Sequence, residues 1–180
     1  MRMADFEKFE QFGLARDLLL KGLRPVPTAS LTGLSADVVR SMCKLLDKPI
    51  NVYGATGTCT NLCRSRKAQM RWSLFASIYR AIGGQKVMQG VDPHALMTSY
   101  EIFRNCSGID ETHSITGAWI VAHELRSAIV KLSDCRICGL KYLLIFGSGR
   151  LPLSCPFCDV RDRRPKSQNL IQPMNKGLLN

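Results

Sequence analysis

The sequence predicts a mainly α-helical protein that ends in a small four-cysteine module. Apolar residues recur three or four positions apart through most of the chain, which is the period of an amphipathic helix. Near the C-terminus, "SDCRICGLKYLLIFGSGRLPLSCPFCDV" carries two C-x-x-C pairs, Cys135/Cys138 and Cys155/Cys158, with sixteen residues between them. The charge is lopsided as well: the formal net charge is +11, and no acid occurs from Lys48 to Val91. At 180 residues the chain can bury a real core and still carry an appendage. The expected division is a helical domain over 1–132, a metal-binding module over 133–164 and a loose tail over 165–180, where Pro165 and Pro173 stand among few large apolar groups.

Taken in order, Phe6, Phe9 and the run Leu18-Leu19-Leu20 predict one or two helices ending at Gly22. Pro25 to Leu46, "PVPTASLTGLSADVVRSMCKLL", has the spacing of a helix-turn-helix. Ala29 is the small residue at the helix contact, Gly33 makes the tight turn, and Leu34, Val39 and Met42 hold the second helix down. Ser35 would cap that helix, and Ala36, Asp37, Arg40, Ser41 and Lys44 would face solvent or DNA. A plain helical hairpin would share this spacing. Ala68 to Ile82 reads as a helix with Met70, Leu74, Phe75 and Ile78 on one face and Gly83-Gly84 as its stop. Asp92-Pro93 starts another, through Leu96, Met97, Tyr100 and Phe103. A last stripe, Ile115, Ala118, Trp119, Ala122, Leu125, Ile129 and Leu132, should run straight into the cysteines.

The chemistry open to those cysteines depends on the compartment. Eight cysteines would suit a secreted disulfide scaffold only behind a signal peptide, but "MRMADFEKFEQFGLARDLLLKG" mixes acids, bases and phenylalanines. The longest apolar run is far short of the roughly 20 residues that span a bilayer. A cytoplasmic protein with reduced thiols and no membrane contact is therefore expected. There, paired C-x-x-C motifs at this spacing point to zinc, because four soft thiolates satisfy a tetrahedral ion. Lys141 to Phe146 would form a strand, Gly147-Ser148-Gly149 a turn and Arg150 to Ser154 the return, a zinc-ribbon-like hairpin that brings the second pair beside the first. Four thiolates on one zinc leave a formal charge of minus two, which Arg136, Lys141, Arg150 and Arg161 lie close enough in sequence to offset.

A filled four-cysteine site has no open position for water or substrate, so it staples the fold and does not catalyse. A zinc deaminase would need H-x-E and P-C-x-x-C; here His123 and Glu124 are adjacent and Ser154 precedes Cys155. Thioredoxin-type redox chemistry lacks its β-α-β alternation. In "GATGTCTNLCRSRK" the G-K-[ST] ending of a phosphate loop is missing, and Cys43, Cys59, Cys63 and Cys106 read as small buried thiols. Charge favours nucleic acid as a partner: Lys48, Arg64, Arg66, Lys67, Arg71, Arg80 and Lys86 occupy the acid-free span, and Arg161, Arg163, Arg164 and Lys166 follow the cysteines. A membrane surface is disfavoured, since these bases do not share one strongly amphipathic helix. The expected DNA contacts are Arg40, Ser41 and Lys44 on the second helix of the pair, with Arg64, Arg66, Lys67 and Arg71 facing phosphates.

The combination of "LTGLSADVVRSMCKLL", "RWSLFASIYRAI", "ITGAWIVAHELRSAIVKLSDCRIC" and "SCPFC" resembles the FlhC family of flagellar transcriptional regulators over roughly Leu14 to Arg164. The resemblance implies zinc ligation by Cys135, Cys138, Cys155 and Cys158, with one Zn2+ per chain. It also implies a partner, the small helical protein FlhD, in a heterohexamer of four FlhD and two FlhC subunits. That complex binds promoter DNA of flagellar operons and recruits RNA polymerase. The expectation is a DNA-binding transcription activator subunit and not an enzyme; the competing class is a zinc-stabilised interaction scaffold without sequence-specific DNA binding.

Overall fold

The computed structural model describes residues 3–46, 56–107, 114–146 and 153–158, and the observed architecture is helical with one two-stranded sheet. Helix α1 (Met3–Leu20) is a single helix, and Gly22 beyond it has a positive φ. Helices α2 (Pro25–Thr32) and α3 (Ala36–Leu45) follow, joined where the sequence places the turn. Gly33 closes α2 at φ 73°, and Ser35 Oγ accepts the Val38 N–H at 3.3 Å to cap α3. Leu19, Val39 and Cys43 form a small buried cluster, with Ala29, Leu34 and Met42 against it, so the α2–α3 pair is seated on α1 by the residues its spacing singles out.

The main core lies around α5 (Arg66–Gly83), which a four-residue α4 (Cys59–Leu62) precedes and a short 3-10 turn (Lys86–Met88) follows. Against α5 pack α6 (Pro93–Ser107) and α7 (Ile115–Arg126). Trp72 and Phe75 of α5 meet Phe103 of α6, the first stacked at 5.6 Å and the second edge-on at 5.7 Å. Gly117 is what lets α7 approach: a Cβ there would stand 2.6 Å from Trp72 Cη2. Asp92 Oδ1 accepts the Ala95 N–H and begins α6 as its position before Pro93 suggests.

The final helix stops earlier than its apolar stripe predicts. Helix α7 ends at Arg126, and Ile129 and Leu132 lie beyond it. Ala128 takes a left-handed conformation (φ 56°), while the Ile129 N–H reaches back to Glu124 O and the Ala128 N–H to Leu125 O. This is the hydrogen-bonded C-terminal turn usually built on glycine. Strand β1 (Val130–Asp134) then pairs antiparallel with β2 (Lys141–Ile145), from Val130 opposite Ile145 to Asp134 opposite Lys141. β2 therefore pairs with the segment before the first cysteine pair, whereas the sequence predicts a hairpin with a return segment from Arg150. Residues 147–152 of that expected hairpin lie outside the described residues, as do Lys48 and the tail over 165–180. Val130, Leu143 and Ile145 belong to the same buried cluster as Trp72 and Phe103.

The other edge of β2 is covered by side chains of α5. Ser73 Oγ accepts the Leu143 N–H at 2.9 Å, and Gln69 Nε2 donates to Leu143 O at 2.8 Å. Two polar residues buried in a helix thus do the work of a third strand, and no backbone group of Leu143 is left without a partner.

Candidate metal centre

The β1–β2 hairpin holds the first cysteine pair at its tip. Cys135 follows β1, its N–H bonds to Leu140 O, its carbonyl accepts from the Gly139 N–H, and its sulfur accepts the Ile137 N–H at 3.4 Å. Such a turn needs a left-handed residue after the second cysteine, and Gly139 supplies it at φ 72°. The second pair sits where residues 156–158 are helical.

The two pairs meet. Cys135 Sγ lies 3.7 Å from Cys158 Sγ, Cys138 Sγ lies 3.7 Å from Cys155 Sγ, and all four sulfurs are within 4.8 Å of one another. Ligands at about 2.3 Å in a tetrahedron stand about 3.8 Å apart, so the cage has the size of a tetrathiolate metal site. Cys135 and Cys155 are buried, Cys138 and Cys158 half-buried.

Electrostatics point the same way. The backbone N–H groups of Cys138 and Ile137 hold the Cys135 thiol down at about 6. Burial, and then the crowding of the Cys135, Cys138 and Cys155 sulfurs, pushes Cys158 up to about 12; burial also raises Cys155 against the backbone N–H groups of Cys158 and Phe157. One thiolate is welcome in this cage, but further negative charge is costly until a cation takes the centre.

The chain around the second pair is tied to the helical body by residues that sequence spacing does not flag. The Arg66 guanidinium donates to Ser154 O at 2.9 Å, to Ser154 Oγ at 2.8 Å and to Gln69 Oε1 at 2.8 Å. Tyr142 donates its hydroxyl to Leu153 O at 3.2 Å. Burial, followed by the nearby Cys155 and Cys135 sulfurs, raises the Tyr142 phenol, while the positive charge of Arg66 opposes that shift. Lys141, one of the cations expected to offset the cysteines, is paired with Asp134 at 2.7 Å. Arg136 is exposed; Arg150 and Arg161 lie outside the described residues.

Of the DNA contacts expected from the sequence, Arg40, Ser41 and Lys44 lie on the exposed side of α3, although Arg40 is bonded to Asp37 at 2.6 Å. Arg64 and Lys67 are exposed at the start of α5, whereas Arg66 and Arg71 are half-buried. His123 stacks on Trp119 at 4.9 Å, a packing role. Cys43, Cys59 and Cys63 are buried as expected, and burial pushes Cys63 up to about 12. Cys106 differs: near the end of α6 it is exposed, because the apolar face of that helix turns away from it.

The family model for the flagellar transcriptional activator FlhC matches residues 6–171. This chain belongs to the FlhC family. A relative described as flagellar transcriptional regulator FlhC, from Gallionella capsiferriformans (strain ES-2), is 25% identical over 138 residues, which is 74% of this chain and 75% of the relative. Membership makes the chain a transcription regulator of the flagellar system, and its cysteine cage is one that could hold a metal ion. Among the described residues no helix is long and apolar enough to cross a membrane.

Proposed function

We propose that this FlhC-family chain is the DNA-contacting subunit of an activator formed with FlhD, a heterohexamer of four FlhD and two FlhC subunits. In the cytoplasm it binds flagellar promoters and recruits RNA polymerase to them. One zinc ion per chain, held by Cys135, Cys138, Cys155 and Cys158, staples the β1–β2 hairpin to the second cysteine pair. Zinc is favoured because four soft sulfur donors at tetrahedral spacing suit it, and a closed donor set leaves the ion a structural part.

The observation that carries the DNA reading is the placement of exposed Arg64 and Lys67 at the start of α5, inside the acid-free span and with no acidic partner among the described residues. A helix start favours acids and disfavours bases. Positive charge gathered there is best satisfied by an anion from outside, and DNA phosphates supply a row of them. Arg71, one turn along α5, extends the surface. Arg40, Ser41 and Lys44, exposed on α3, read bases in this proposal, as the second helix of a helix-turn-helix does.

Footprinting of the chain co-purified with FlhD on a flagellar promoter tests this. A protected, bounded stretch of promoter is expected. Equal occupancy of scrambled DNA would favour the scaffold reading, in which charge alone brings the protein to nucleic acid.

A further inference from the structure

The sequence neighbourhood of the second cysteine pair is anchored from 88 positions away. Arg66 grips Ser154, the residue immediately before Cys155, at both its carbonyl and its hydroxyl. The same guanidinium donates to Gln69 Oε1, whose amide nitrogen donates to Leu143 O of β2. A continuous set of hydrogen bonds therefore runs from the second cysteine pair through Arg66 and Gln69 to the strand that leads away from the first. Tyr142 closes the same frame by bonding Leu153 O. Both pairs are thus referenced to helix α5.

We propose that Arg66 is a positioning residue for the metal centre: its fork on Ser154 holds Cys155 and Cys158 at ligating distance from the hairpin pair, so that metal retention depends on α5. Partners outside the ligand shell that fix ligand orientation are commonly worth ten- to a hundredfold in metal affinity. The charge serves the same end. Four thiolates on a divalent ion leave the centre with excess negative charge, and Lys141 is already paired with Asp134. Arg66 brings its positive charge against the chain entering the second pair. The reading moves Arg66 out of the phosphate-facing set, in which its place in the acid-free span would put it, and it rests on the zinc reading above.

The test uses the full-length chain co-purified with FlhD, zinc-loaded, with a metallochromic chelator in excess. Arg66→Ala should release zinc about tenfold faster or more. Arg66→Lys, which keeps the charge but cannot fork, should fall between it and the wild type. Lys67→Ala should release zinc at the wild-type rate. In DNA titrations at several salt concentrations the pattern should invert: Lys67→Ala flattens the salt slope by about one, and Arg66→Ala leaves it unchanged. Wild-type zinc release by Arg66→Ala, together with a salt slope reduced by about one, would overturn the proposal and return Arg66 to the phosphates. Should Arg66→Ala not accumulate, Ser154→Ala removes the hydroxyl acceptor alone; release several-fold faster than wild type supports the latch, and unchanged release overturns it. A wild-type protein that contains no zinc at all would instead overturn the metal reading itself.

Discussion

A serine at position 138 or 155 would remove one corner of a sulfur cage whose paired edges are 3.7 Å. Because structural zinc in small modules contributes an apparent ~10 to 16 kcal/mol, as much as a domain's whole net stability of ~5 to 15, Cys138→Ser or Cys155→Ser should abolish zinc binding and soluble yield together. Elemental analysis and yield of the soluble fraction check it. Acid should act on the same atoms. The zinc-bound form needs all four thiolates, so protons compete with the ion, and affinity falls as pH falls. The raised thiols of Cys155 and Cys158 favour the protonated form and add to that competition. Zinc release to an indicator should therefore grow as pH is lowered from 8 through 6, and affinity that holds constant over that window would contradict the ligand set. The four cysteines that meet in the cage were legible in the sequence because C-x-x-C spacing is a local signal with a specific chemistry. Arg66, Gln69 and Tyr142 were not, because what they do is defined by partners 88, 74 and 11 positions away.

At the scale of elements, the join between α7 and β1 is where sequence and structure part. Ile129 and Leu132 continue the three-to-four spacing of α7, yet Val130 and Leu132, with Lys131 and Ser133 after each, equally fit the alternation of a strand, and such short segments carry both patterns. What decides is the turn at Ala128, a left-handed residue without the glycine that would have marked it. Ala128→Gly should consequently stabilise the fold by roughly 0.5 to 1 kcal/mol, as relief of the backbone conformation outweighs added freedom in the unfolded chain. Denaturant midpoints measure this. The α7–α5 contact makes the opposite case. A methyl at position 117 would fall 2.6 Å from Trp72 Cη2, so Gly117→Ala, ordinarily favourable in a helix, should cost about 1 to 3 kcal/mol by forcing α7 from the Trp72–Phe103 stack. The α2–α3 pair, by contrast, could be placed from sequence almost residue by residue, since Gly33 and the Ser35 cap are local devices whose effect does not wait on tertiary packing.

For the molecule as a whole, a helical body built on α5 carries the strand pair in its core and the cysteine cage at the hairpin tip, with exposed bases at the start of the same helix. Metal loss should thus reach beyond the cage: β2 is bonded to Gln69 and Ser73, and the second cysteine pair to Arg66, so chelation should loosen α5 and weaken DNA binding with it. Within the proposed DNA surface the two helices should fail differently. Arg40→Ala on α3 should cost roughly 1 to 3 kcal/mol on promoter DNA and little on scrambled sequence, whereas Lys67→Ala should weaken both alike and lower the salt slope by about one. The most direct measurement is the affinity of the zinc-loaded chain–FlhD complex for a flagellar promoter fragment and for its scrambled counterpart, titrated at matched salt. A promoter preference of about a thousandfold or more, eroded by Arg40→Ala and kept by Lys67→Ala, is the predicted result. Equal affinity for the two fragments, with both variants behaving as the wild type, would contradict the account.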